Sequence, residues 1–277
     1  MSYWIYLLPL LPHYTYGFPI DNRPLYVIDT DPGVDDAQAL ILALNNNLTP
    51  EPLILAITTV SGNADSLQAA RNAVRVFKLM GRSDIPLYVG ANRPLIEEFE
   101  SDFYFGEDAF GGRPDLYPQF VPGDENYIKQ ESGVVALIRL ARQFPGRITL
   151  VLLGPLTNLA LAIRLDPHIR YLFKDIFIMG GNMNGKGNVQ PAAEYNFKAD
   201  PEAAYIVVKE TNATIFTWEV VLENPIEWSW YDEYLSANNE ITNFMGGIFG
   251  TVARNRRDGD SGLSSGRRSH SGHRPKA

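Results

Sequence analysis

Apolar residues along this chain fall into short unbroken runs rather than strict alternation. "LYVID" (Leu25–Asp29), "LILAITTV" (Leu53–Val60), "IPLYVG" (Ile85–Gly90), "ITLVLLG" (Ile148–Gly154) and "KDIFIMGG" (Lys174–Gly181) are each bounded by turn residues or charge. Such runs are the pattern of strands covered on both faces. Between them lie segments of helical period: "DAQALILALNN" (Asp36–Asn46), "SLQAARNAVRVFKLMG" (Ser66–Gly81), "SGVVALIRLARQF" (Ser132–Phe144) and "PLTNLALAIRLDPHI" (Pro155–Ile169). "DPEAAYIVVKE" follows, with Asp200 as N-cap and Pro201 in the first turn, the favoured place for each. "ATIFTWEVV" (Ala213–Val221) predicts one more strand. Residues 91–130 and 182–197 predict loops, with Glu194 and Asn196 alternating along an extended stretch, and residues 222–253 a mixture of helix and loop. The alternation predicts an α/β protein with an open, mostly parallel, Rossmann-like sheet and helices on both faces.

Composition narrows this picture. A chain of 277 residues with 45% apolar content supports one large α/β domain or two small ones. Cys is absent, which removes disulfides, thiolate metal sites and thiol nucleophiles. A net charge of −8 argues against nucleic acid and against a polybasic membrane surface. No apolar run is long enough to span a bilayer, about 20 residues. From Arg254 onward seven Lys/Arg face two Asp/Glu, a local +5 that leaves −13 elsewhere. The chain therefore divides into an aromatic-rich extension (1–24), a folded domain (25–253) and a basic tail (254–277) expected to be disordered. Residues 1–24 lack a basic n-region and a clear cleavage site, so a cytoplasmic protein is expected, with secretion as the alternative.

The candidate chemistry lies in "VIDTDPGVDDAQAL", where Asp29, Asp31, Asp35 and Asp36 fall within eight residues between a strand and a helix. In parallel sheets, ligands bind beyond the carboxyl ends of strands. Carboxylates gathered there suit a hard cation with oxygen ligands. No Glu stands at the twelfth position that an EF-hand needs, and there is no GK[ST] for a phosphate loop. Metal-assisted hydrolysis and phosphoryl transfer through an aspartyl nucleophile both remain open. In the second, D-x-D resembles the opening of haloacid-dehalogenase-like phosphatases, with Asp29 as nucleophile and Asp31 as acid/base.

A longer match is more specific. "DTDPGVDDAQAL", "TTVSGN", "GPLTNLALA" and "MGGNMNGKGNVQPAAEYNFKADPEAA" occur in this order and resemble the motifs of the inosine-uridine preferring nucleoside hydrolases. The resemblance runs from about Leu25 to Val221. It implies hydrolysis of the N-glycosidic bond of purine or pyrimidine ribonucleosides to free base and ribose. It implies Ca²⁺ held by Asp31, Asp36 and the Leu153 carbonyl, with Asp31 also the general base toward the Ca²⁺-bound water. Asp35, Asn63, Asn188, Glu194 and Asn196, with the backbone of Met179, would hold the ribose hydroxyls. A small-molecule substrate and a homo-oligomer, dimer or tetramer, follow from the same resemblance.

The family's late His-Asp motif has no counterpart after Val221; Asp258, Asp260, His270 and His273 lie in the tail. In "YFGEDAFGG", Phe105 stands where many members have His. The expectation is a domain truncated at its C-terminus, with weakened metal binding and activity. Tyr104, Tyr195 and Trp218 are candidates to stack on a base, and equally candidates for the core.

Overall fold

The computed structural model describes residues 23–45, 51–98, 101 and 103–257. The extension before Arg23 and the tail beyond Arg257 lie outside the described residues, as do Asp258, Asp260, His270 and His273.

Among the described residues, seven strands form one parallel sheet, ordered β4-β3-β2-β1-β5-β6-β7. They are β1 (Leu25–Thr30), β2 (Leu53–Thr59), β3 (Leu87–Val89), β4 (Ile128–Lys129), β5 (Ile148–Leu152), β6 (Phe173–Met179) and β7 (Thr214–Phe216). β1 lies at the centre, paired in parallel with β2 on one side and β5 on the other. Strand order reverses between β1 and β5, so a crevice opens there at the carboxyl ends.

Helices cover both faces, as the unbroken apolar strands require. Against one face pack α3 (Gly133–Gln143), α4 (Thr157–Leu165) and α6 (Pro201–Glu210), burying Leu137, Leu159, Ile163 and Val207 over Val27 and Leu150. Against the other pack α1 (Val34–Ala43), α2 (Ser66–Met80) and α9 (Glu240–Arg257), where Leu40, Phe77 and Phe244 surround Ile28 and Ile57. Asp65 caps α2 by accepting from the N–H groups of Leu67 and Gln68, and Gly81 ends it at φ +65°. Asp200 caps α6, accepting from Ala203.

Several sequence-based boundaries are corrected. α1 begins at Val34, so Asp35 and Asp36 both lie in its first turn, where the helix dipole favours carboxylates. Residues 182–197 are not all loop: Tyr195–Ala199 form the short helix α5, capped by the Glu194 carboxylate. Glu194 and Asn196 therefore do not alternate on a strand. "ATIFTWEVV" splits into β7 and a helix α7 (Trp218–Glu223), since a short apolar run does not by itself separate strand from helix. Glu219 in the first turn of α7 accepts from the N–H groups of Met183 and Asn184, which anchors the change. The two-residue β4 was too short to register as a period, and α8 (Trp228–Ser236) completes the helices. The helical backbone of α9 runs past Arg254 to Arg257, beyond the compositional break. No described helix is long and apolar enough to cross a membrane.

Two substitutions measure this framework. Asp65→Ala should lower the unfolding free energy by about 1 kcal/mol through loss of the cap. Phe77→Ala, in a fully buried position, should lower it by about 3–5 kcal/mol. Urea titrations of both variants against the parent check the ratio.

Candidate active site

β1 delivers Asp29 to its last turn of pleat and Asp31 just beyond it. Pro32 and Gly33 turn the chain into α1, so Asp36 returns to the same crevice. The Asp31 carboxylate is almost wholly buried. Oδ2 accepts from the backbone N–H of Asn63 at 2.8 Å and from its side-chain Nδ2 at 3.0 Å. Oδ1 has no hydrogen-bond partner among the described residues. Two glycines make room for this group: a Cβ on Gly62 would lie 2.1 Å from Oδ2, and one on Gly154 2.5 Å from Oδ1.

Asp36 is buried and accepts from the Thr30 hydroxyl. Asp29 sits beneath the cleft floor, accepting from Thr58 Oγ1 at 2.5 Å and Asn158 Nδ2 at 2.6 Å. Asn158 also donates to the Thr59 carbonyl and accepts from the Ala91 N–H, so Asn158 joins Asp29 to the ends of β2 and β3. Burial raises the carboxyl pKa of Asp29 to about 7. Burial, then the charge of Asp35, raises that of Asp36 to about 8. Asp31 is pushed well above the usual carboxylate range by burial first and then by Asp36.

A cleft of about 480 Å³ opens over these groups, lined by Asp31, Asp35, Asp36, Asn63, Leu153, Met179, Asn188, Glu194 and Asn196. The site residues that the family resemblance implies thus all face one space, whereas Asp29, the fourth aspartate of the cluster, does not line it. Tyr104, Phe105, Tyr195 and Trp218 complete the wall. Asp35 is exposed at the mouth, and its Oδ1 accepts from the Asp36 N–H.

Several of the side chains expected at the ribose also hold the protein together. The Asn63 amide nitrogen is engaged with Asp31. The Asn196 amide nitrogen donates to the Leu153 carbonyl at 2.8 Å and the Met179 carbonyl at 3.1 Å, joining the ends of β5 and β6. The Glu194 carboxylate accepts from the N–H groups of Gly181, Asn196 and Phe197. These three side chains shape the cleft from within. Asn188 is buried, and its Oδ1 has no partner among the described residues. The Tyr195 hydroxyl donates to the Gly62 carbonyl and ties the β2 loop to α5.

Sequence reasoning missed Thr30, Thr58 and Asn158. Asn158 carried a signal in "GPLTNLALA", whose polar residue falls on an otherwise apolar helix. The aspartyl-phosphatase alternative meets an obstacle: Asp29, its nucleophile, lies below the floor in two side-chain hydrogen bonds, and no Lys lines the cleft.

For a hard cation, the described residues offer two buried carboxylates and a strand-end carbonyl, not a cluster of three or more His, Cys, Asp or Glu. The unpartnered Oδ1 of Asp31 is the observation that fits such an ion, because a buried, unpaired carboxylate oxygen is costly.

A parallel α/β sheet with an acidic, carboxylate-floored cleft at its switch point defines the class. The family model for inosine-uridine preferring nucleoside hydrolases matches residues 26–270, and the chain belongs to that family. A probable uridine nucleosidase of Arabidopsis thaliana is 40% identical over 191 residues, 68% of this chain and 56% of the relative. A pyrimidine-specific ribonucleoside hydrolase of Shewanella woodyi is 41% identical over 190 residues, 68% of this chain and 57% of the relative. A solved plant nucleoside hydrolase superposes with a TM-score of 0.74 at 32% identity, covering 85% of this chain and 73% of that one. The chain spans little more than half the length of the curated relatives it matches.

The buried carboxyls give a signed pH prediction. Their folded values lie above the ordinary 3.8, so the folded state prefers the protonated form. For Asp29 and Asp36 the stabilising contribution is full below about pH 4 and is lost as pH rises through about 7 and about 8 respectively. With a chelator present, stability to urea should fall between about pH 5 and about pH 8.5, and the fall should be smaller in Asp29→Asn. An unchanged slope in that variant would reject burial of Asp29 as a cause.

Proposed function

We propose that this domain hydrolyses the N-glycosidic bond of purine or pyrimidine ribonucleosides, releasing free base and ribose. The observation that carries the proposal is the Asp31 carboxylate, with one oxygen fixed by Asn63 and the other unpartnered on the floor of a polar cleft. The names of the relatives support the same reaction class.

Cleavage of an N-glycosidic bond builds oxocarbenium-like positive charge on the ribose. The Asp31, Asp35 and Asp36 carboxyls face that position, and in the ionised form, which a bound cation would favour, they set negative charge against it in a largely buried setting, where fixed electrostatics act most strongly. Asp31 would take the proton from the attacking water. Asp35 at the mouth and Asn188 on the inner wall would receive ribose hydroxyls. Asn63, Glu194 and Asn196 would hold the shape into which the sugar fits.

The donor set fits a Ca²⁺-like cation, which Asp31, Asp36 and the Leu153 carbonyl would hold. When bound, such an ion supplies Lewis-acid polarisation of the attacking water. Phe105 and Trp218 border both the polar cleft and an adjoining apolar one of about 1030 Å³. That apolar side offers flat surfaces to a base while the sugar lies over the carboxylates.

The test is release of reducing sugar from inosine, uridine and adenosine, with and without chelator. The full chain should release ribose from at least one of them. Asp31→Asn should lower kcat/KM by about 10²–10⁴-fold. Absence of sugar release by the parent, or full activity of Asp31→Asn, overturns the proposal.

A further inference from the structure

Asn72 lies in the middle of α2, outside the cleft, and is fully buried. Its amide nitrogen uses both hydrogens on carbonyls distant in sequence: Pro32 at 3.0 Å and Asp108 at 2.8 Å. Its oxygen accepts from Gln68 Nε2 at 3.0 Å. Pro32 is the hinge between Asp31 and the start of α1. Asp108 belongs to the loop that carries Tyr104 and Phe105 into the cleft wall.

That loop has no regular structure to hold it. Phe103, Gly106, Ala109, Gly111 and Gly112 all adopt positive φ, which is unfavourable for the two residues bearing a Cβ. It is braced by side chains instead. Asp108 Oδ1 accepts from the N–H groups of Phe110 and Gly112. One turn along α2 from Asn72, Arg75 donates to the carbonyls of Arg113, Leu116 and Pro118. The loop also lies close to the turn after Asp31: a Cβ on Gly33 would come within 2.9 Å of the Phe105 ring.

We infer that Asn72 is a positioning residue for the hydrolase reading above, one that sets the distance between the catalytic aspartate loop and the aromatic wall of the cleft. A single amide fixes both sides through carbonyls, and burial denies water as a substitute. The substrate's base would meet the wall, and its ribose would meet the aspartates. Displacement of one relative to the other weakens substrate binding more than it slows the bond-breaking step.

Asn72→Asp keeps the size and turns both donors into an acceptor facing two carbonyls. Asn72→Ser, smaller and retaining one donor, serves if the first variant does not fold. Hydrogen exchange on the full chain, without substrate, should accelerate about tenfold in peptides covering residues 103–116 and 31–37, with β5 and β6 unchanged. KM for the nucleoside cleaved best should rise about tenfold, with kcat within about threefold. A purely structural role would accelerate exchange throughout and leave KM alone. Unchanged exchange in both loops, or a fall in kcat at constant KM, overturns the inference. If the parent releases no ribose, the hydrolase reading fails, while the exchange result still decides whether Asn72 couples the two loops.

Discussion

The constraint on which this molecule turns is the burial of three carboxyl groups, Asp29, Asp31 and Asp36, at the carboxyl end of its central strand. Burial of ionisable groups is unfavourable unless they are hydrogen-bonded, paired or neutralised. The surroundings meet that demand in part, with neutral donors: the hydroxyls of Thr30 and Thr58 and the amides of Asn63 and Asn158, while Oδ1 of Asp29 and of Asp31 has no partner among the described residues. No Lys or Arg is among these partners. The site therefore stays short of positive charge, which is the condition under which a cation or a cationic transition state gains most from entering it.

Parallel topology converts this local arrangement into a complete cleft. Each β-to-α connection leaves the sheet on the same edge, so β1 supplies the aspartates, β2 Asn63, β5 Leu153, β6 Met179 and the following loop Asn188 and Glu194. Few of these residues point freely outward. Asn196 joins the ends of β5 and β6, Tyr195 joins α5 to the β2 loop, and Glu194 gathers three N–H groups. The cleft is held by groups that also form its surface, so its shape and its chemistry cannot be altered independently.

The outline of this arrangement was legible in the chain because buried parallel strands leave unbroken apolar runs and helices leave a 3.6-residue period. Gly81, Asp200 and Pro201 marked helix ends correctly for the reasons of backbone conformation and capping that place them there. Where the reading erred, the deciding interaction lay far away in sequence. Trp218–Glu223 is helical in company with Gly181, Met183 and Asn184, contacts that no local window contains. Glu194 and Asn196 looked like alternating residues of an extended loop because the turn they form depends on a carboxylate folding back on three amides. The four aspartates were visible as a candidate site from their crowding, and the family resemblance singled out Asp31 and Asp36 among them. Thr58 and Asn72 were not, since a single polar residue on an apolar element has no distinguishing pattern until its partner is known.

The Tyr195 hydroxyl on the Gly62 carbonyl closes a span of 133 residues with one hydrogen bond. Closure over such a separation carries a large loop entropy, and contacts of this kind form late in folding. The aspartates on β1 can thus be synthesised, and β1 and β2 paired, long before any cleft exists. The cleft itself is closed only once β5, β6 and α5 have docked, since they supply Leu153, Met179, Tyr195 and Asn196 to its wall. Anything that binds the finished cleft therefore stabilises the assembled half-sheets together by mass action, and the ligand acts as a clasp between the early and late portions of the chain.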